Sequence, residues 1–134
     1  GVARILNSHD GLRRLTEVVD SECNGLDFCQ GSIATMPGDV KDAIRYFGRK
    51  GKIVYVHLRN ISGAFPRYSE TFIDDGYVDM SDTMKVYKEV GFHGAMIVDH
   101  VPTMDNDPGS YRASAFAMGY VKALIDAVYG RDQD

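Results

Sequence analysis

Apolar residues in this chain fall into two kinds of run, short continuous blocks and longer stretches with helical spacing. The blocks are Asn24 to Cys29, Lys52 to Leu58 and Gly94 to Asp99, the second rich in β-branched and aromatic residues. Such blocks predict buried strands. Ser8 is placed to cap a first helix with Leu12, Leu15, Val18 and Val19 on one face. Asp39 is placed to cap a second, through Val40, Ile44 and Phe47 to a stop at about Gly48 or Gly51. A third is expected to start at Ser81, carry Met84, Tyr87 and Val90, and stop at Gly91. The fourth runs from about Tyr111 to Tyr129, with Phe116, Tyr120, Leu124 and Val128 spaced for one face.

The order is αβαβαβα, which implies parallel pairing and helices covering the sheet, an α/β class. Two architectures stay open. A doubly wound sheet places its ligand at a switch point, usually with a Gly-rich turn, and nothing in this chain reads GxGxxG. A TIM barrel gathers catalytic residues at the C-terminal ends of several strands, and Cys29, His57 and Asp99 each close an apolar block. A complete (β/α)₈ barrel takes about 250 residues. The chain has 134, so the expectation is a single partial barrel domain over 1–134, the C-terminal portion. A long connection from Arg59 to Met80 would emerge on the catalytic face, as would the shorter Val101 to Ser110 loop.

Composition narrows the class without changing it. With 44% hydrophobic and 25% charged residues the chain is an ordinary globular domain. A net charge of -4 with scattered Lys and Arg leaves no footprint for nucleic acid. No apolar run approaches the ~20 residues that span a bilayer, and the opening Gly-Val-Ala-Arg-Ile-Leu-Asn lacks a signal pattern, so a cytoplasmic protein without membrane partners is expected. Cys23 and Cys29 form neither CxxC nor a disulfide framework.

Each candidate residue also has a plain structural reading. Cys29 on an apolar strand is ordinarily a small buried hydrophobe. His57 after Val-Tyr-Val could be a satisfied core histidine, although polar Arg59 and Asn60 follow it. An Asp99-His100 pair closing an apolar strand is harder to leave without partners, because burying either alone costs several kcal/mol. Together, thiolate, imidazole and carboxylate suit a transition metal; zinc, iron and manganese all fit on donor type, and a structural site is not distinguished from a catalytic one. His9 and His93 lie away from the strand ends, Asp74, Asp75 and Asp105 to Asp107 read as solvated loop charges, and Tyr111 stands apart by opening the last helix after Pro108-Gly109.

Several segments, in order, resemble the mannonate dehydratases of hexuronate catabolism. They are Asn24-Gly25-Leu26-Asp27-Phe28-Cys29-Gln30-Gly31-Ser32, Val56-His57-Leu58-Arg59-Asn60, Gly76-Tyr77-Val78-Asp79-Met80, Asp99-His100 and Pro108-Gly109-Ser110-Tyr111, within a likeness running from about Arg4 to Ala127. The resemblance implies a TIM barrel that removes water from D-mannonate to give 2-keto-3-deoxy-D-gluconate, using Mn2+ or Fe2+. It also implies that Cys29, His57 and Asp99 are metal ligands, with a fourth ligand, a histidine, upstream. His100 and Tyr111 would be catalytic, and Arg59 would face the substrate carboxylate. The chain departs from the family where Ile73 replaces a histidine three residues after Glu70, where Tyr77 replaces an aspartate, and where Ile97-Val98-Asp99-His100-Val101 lacks the family's arginine, proline and glycine.

Such a site would take the proton from C2, beside the carboxylate, and protonate the departing 3-hydroxyl. The expected partner is a small sugar-acid substrate, in a full-length protein expected to be a homo-oligomer. Two other readings are carried: a metal-dependent sugar isomerase of the xylose-isomerase-like barrel class, and an inactive fragment serving as a binding module.

Overall fold

The structure is a computed structural model and describes residues 5–130; the first four residues of the opening stretch, with Arg4 where the family likeness starts, lie outside the described residues. The elements are α1 (His9–Glu17), β1 (Leu26–Cys29), α2 (Gln30–Ala34), α3 (Val40–Arg49), β2 (Ile53–Leu58), β3 (Asn60–Ile61), β4 (Glu70–Thr71), α4 (Met80–Glu89), β5 (Met96–Val98) and α5 (Tyr111–Tyr129). The α/β class is as expected. β1, β2 and β5 form a parallel sheet with β2 in the middle, pairing Cys29 with His57 and His57 with Ile97.

One side of this sheet builds the core. Phe28, Val56 and Leu58 are buried among Ile44 and Phe47 of α3 and Met84 and Tyr87 of α4. Phe28 meets Phe47 and Tyr87 edge to face, with centroids 6.4 and 6.1 Å apart. The register slips by one between Leu26 and Asp27, which pair with Ile53 and Tyr55 and leave Val54 as the extra residue of β2. A bulge of this kind resets the alternation of faces. Ile53 is therefore buried and Val54 is 60% exposed, while Tyr55 and His57 are half-buried on the other side of the sheet from Val56.

Several element ends differ from the apolar pattern, each for a local reason. The first strand begins at Leu26 because the Asn24 amide donates to the carbonyls of Leu15, Thr16 and Val19, tying off the end of α1. Ser8 caps α1 through Gly11 N, but the helix buries Leu12 and Thr16; Val18 and Val19 follow its last turn and are exposed, as is Leu15. Asp39 caps α3 as its position suggests. α4 is capped by Asp79, whose Oδ1 accepts from Asp82 N at 2.9 Å, so Ser81 already lies inside the helix. α5 buries the small stripe Ala113, Ala117 and Val121, which lets it approach β5 closely and leaves Phe116 half-exposed against Phe72. α2, five residues long, is too short to show a period.

The long connection from Arg59 to Met80 is organised around buried Asn60. Its amide nitrogen donates to the carbonyls of Ile73 and Val78, and its Oδ1 accepts from the backbone of Ile61 and Val78, so all of the amide's principal capacity is used. Within that frame β3 and β4 pair antiparallel, setting Ile61 opposite Glu70. Gly76 must be glycine here, because a Cβ would lie 2.1 Å from the Asn60 amide carbon. Ile73, where the family has a histidine, is a core residue at 3% exposure.

Candidate metal centre

Because β1, β2 and β5 run parallel, their C-terminal ends arrive at one edge of the sheet. Cys29 closes β1, His57 sits beside it on β2, and Asp99 follows β5, its backbone N–H donating to Leu58 O at 3.1 Å. One ligand atom from each of Cys29, His57 and Asp99 lies within 4.8 Å of the others. Metal bonds of roughly 2.0–2.3 Å put opposed donors about 4.6 Å apart at most, so the trio spans about one coordination sphere. Sulfur, nitrogen and oxygen donors on three rigid strands fit a divalent transition ion rather than magnesium or calcium.

Around the trio is a dense polar shell. The Cys29 thiol contacts Ser32 Oγ at 3.0 Å and Asp99 Oδ2 at 3.6 Å. Arg59 brings a positive charge to this pair. Its Nη2 donates to Ser32 Oγ at 3.0 Å, its Nη1 to Glu70 Oε1 at 2.9 Å, and its Nε lies 3.2 Å from Asp99 Oδ2. Burial works against the Arg59 charge, but the contacts with Cys29 and Glu70 outweigh it and raise the pKa of the guanidinium. Arg59 Nε is at ion-pair distance from Asp99 without the alignment of a hydrogen bond, and is left as a buried N–H with no acceptor.

His100 joins the same shell. Its Nε2 is 3.3 Å from Asp99 Oδ2 and its Nδ1 pairs with Glu70 Oε1, although the side chain is 59% exposed. Asp27, two residues before Cys29, places Oδ2 3.5 Å from His57 Nδ1. The geometry thus brings together Cys29, His57, Arg59, Asp99 and His100. It does not bring in Tyr111, which is 79% exposed at the start of α5 with its ring over Gly109 and makes no hydrogen bond to the cluster. His9 and His93 are elsewhere, the first contacting Ile33 O and the second the Tyr129 ring. Among the described residues neither cysteine is in a disulfide.

Asp27, Ser32 and Glu70 belong to this shell although the apolar pattern does not single them out. Asp27 and Ser32 carried a weak signal, standing two residues before and three after Cys29, whereas Glu70 lies in a connection with no period. Asp107 is a correction: it is a buried cap, not a solvated charge, and its Oδ2 accepts from the backbone of Arg112 and Ala113 at the head of α5. Among the described residues no helix is long and apolar enough to cross a membrane.

The family model for D-mannonate dehydratase (UxuA) matches residues 1–133. The mannonate dehydratase of Thermotoga petrophila is 33% identical over 104 residues, which are 75% of this chain and 29% of that protein. The matched residues therefore span less than a third of the length of that relative. The crystal structure of mannonate dehydratase from Streptococcus suis serotype2 superposes with a TM-score of 0.81 at 25% identity, covering 94% of this chain and 38% of that one. A xylose isomerase domain protein from Planctomyces limnophilus superposes with a TM-score of 0.77 over 92% of this chain and 45% of its own; at 18% identity it shows the fold alone.

Proposed function

Since the chain belongs to the D-mannonate dehydratase family, we propose that it is a partial (β/α)₈ barrel domain contributing part of the active site of a sugar-acid dehydratase, converting D-mannonate to 2-keto-3-deoxy-D-gluconate and water. The convergence of Cys29, His57 and Asp99 within 4.8 Å, with His100 directly beside Asp99, carries this reading. Those three residues would hold Mn2+ or Fe2+. When bound, such an ion supplies Lewis-acid polarisation of a carboxylate and its neighbouring hydroxyl.

The chain's own residues account for the remaining chemistry. The Arg59 guanidinium, paired with Asp99 and Glu70 at the strand ends, would supply the positive charge that a substrate carboxylate faces. Dehydration breaks the C2–H and C3–O bonds; one group takes the C2 proton, another gives a proton to the leaving hydroxyl, and the enol product becomes the 2-keto acid. We assign these transfers to His100 and Tyr111. An imidazole serves in either direction near neutral pH, and a phenol with an ordinary pKa of about 10 more readily donates. Tyr111 heads α5, at the end of the loop that follows His100, and this shared connection is what supports pairing the two.

The test is direct. Full-length protein loaded with manganese or ferrous iron should convert D-mannonate to a 2-keto-3-deoxy acid, seen by mass spectrometry as loss of one water. His100→Ala should keep its metal and lose turnover by about 100-fold or more. Aldose–ketose interconversion without a keto-deoxy product would replace the dehydratase by an isomerase, and full activity in His100→Ala would remove that residue from the mechanism.

A further inference from the structure

Glu70 does not come from any of the three strands that deliver the candidate ligands. It is carried by β4, inside the long connection, where pairing with Ile61 sets its place and the Asn60 hydrogen bonds hold the surrounding backbone. One atom, Oε1, accepts from Arg59 Nη1 at 2.9 Å and pairs with His100 Nδ1. Arg59 follows β2 and His100 follows β5, so a single carboxylate oxygen ties together two side chains that leave different strands of the sheet. Glu70 is 27% exposed, which limits the water that could substitute for it.

The need for such a tie differs between the two partners. Arg59 is 12% exposed and has Ser32 as a second anchor. His100 is more than half exposed, and among the described residues Glu70 and Asp99 are the groups that hold its ring. An imidazole so placed would otherwise sample several rotamers, and a displacement of about 1 Å at a reacting group costs on the order of 100-fold in rate. We propose that Glu70 is a positioning residue, holding the His100 ring and the Arg59 fork in their working orientations through one shared oxygen. The kinetic part of this inference rests on the dehydratase reading; the structural part does not.

Because both partners share that oxygen, losing it should release both at once. In the full-length, manganese-loaded enzyme, Glu70→Ala should lower kcat for D-mannonate about 10- to 100-fold through His100 and raise KM several-fold through Arg59. Manganese content should be unchanged, since Glu70 is outside the candidate ligand trio. Glu70→Gln keeps an oxygen acceptor and should recover part of the loss. A crystal structure of Glu70→Ala should show His100 and Arg59 turned away from their wild-type positions. If Glu70→Ala does not fold, Glu70→Asp, with its carboxylate drawn back by one methylene, should show the same displacement and the same direction of kinetic change. Wild-type kcat and KM, a loss wholly explained by missing manganese, or unmoved His100 and Arg59 side chains would overturn the proposal. Wild-type protein inactive on D-mannonate would instead refute the dehydratase reading, and the crystallographic comparison would still decide the role of Glu70.

Discussion

The Asp27 carboxylate and the His57 ring face each other diagonally across β1 and β2, with Oδ2 3.5 Å from Nδ1. In the proposed site, a carboxylate facing Nδ1 would leave Nε2 as the donor, and such partners orient a ligand and raise its basicity. Asp27→Asn should therefore weaken manganese retention by about 10-fold, within the range usual for partners of this kind. His57→Ala should abolish retention, because a donor is lost outright, whereas His93→Ala, beside Tyr129 and far from the trio, should leave it unchanged. Metal content after dialysis against a graded chelator measures all three. Equal retention in His57→Ala and His93→Ala would contradict the assignment of His57.

At the scale of elements, α5 is fastened to the rest of the chain by its last residue. The Tyr129 hydroxyl donates to Phe92 O at 2.9 Å, and burial pushes its pKa up to about 12, against an ordinary value of about 10. Above pH 10 the unfolded chain has lost this proton while the folded chain keeps it. The contribution is thus fully present below about pH 10 and is lost as pH rises through about 12. Burial raises the Tyr87 hydroxyl well above its ordinary value as well, so it acts in the same direction. The denaturant midpoint of the chain should fall across this window, and fall less steeply in Tyr129→Phe; identical pH profiles would sink the argument. The same fastening shows how element ends depend on distant partners. Asn24 reads as strand from its neighbours yet serves α1, and Asp107 reads as solvent-exposed yet caps α5.

For the whole molecule, the decisive feature is that, among the described residues, helices cover one side of the sheet and not the other. Asp27, Val54 and Ile97 are substantially exposed on the other side, and Tyr55 and His57 are only half covered. The matched segment is 29% of the Thermotoga petrophila mannonate dehydratase, which is therefore more than three times as long. A water-accessible trio with three donors and an open sheet face should not support dehydration by itself. The isolated 134-residue chain, supplied with manganese and D-mannonate, should form no keto-deoxy acid under conditions where the full-length protein does. Product formation by the chain alone would show that these residues form a sufficient site.

What the sequence determined by itself was the order of the main elements and the strand-end position of the chemistry. Apolar blocks such as Lys52 to Leu58 have few alternatives to a buried strand, and polar residues that close them must lie at a sheet edge. Helix starts at Ser8 and Asp39 were legible because a cap is a local hydrogen bond. The likeness to the dehydratases added the proposed ligand roles of Cys29, His57 and Asp99, and the structure brings these three together. Only the tertiary structure decided which other charges join them. Glu70 meets Arg59 and His100 from 11 residues away along the chain in one case and 30 in the other, through a connection that Asn60 folds back over the strand ends. Contacts of that kind depend on loop closure and register, which leave no period in the sequence.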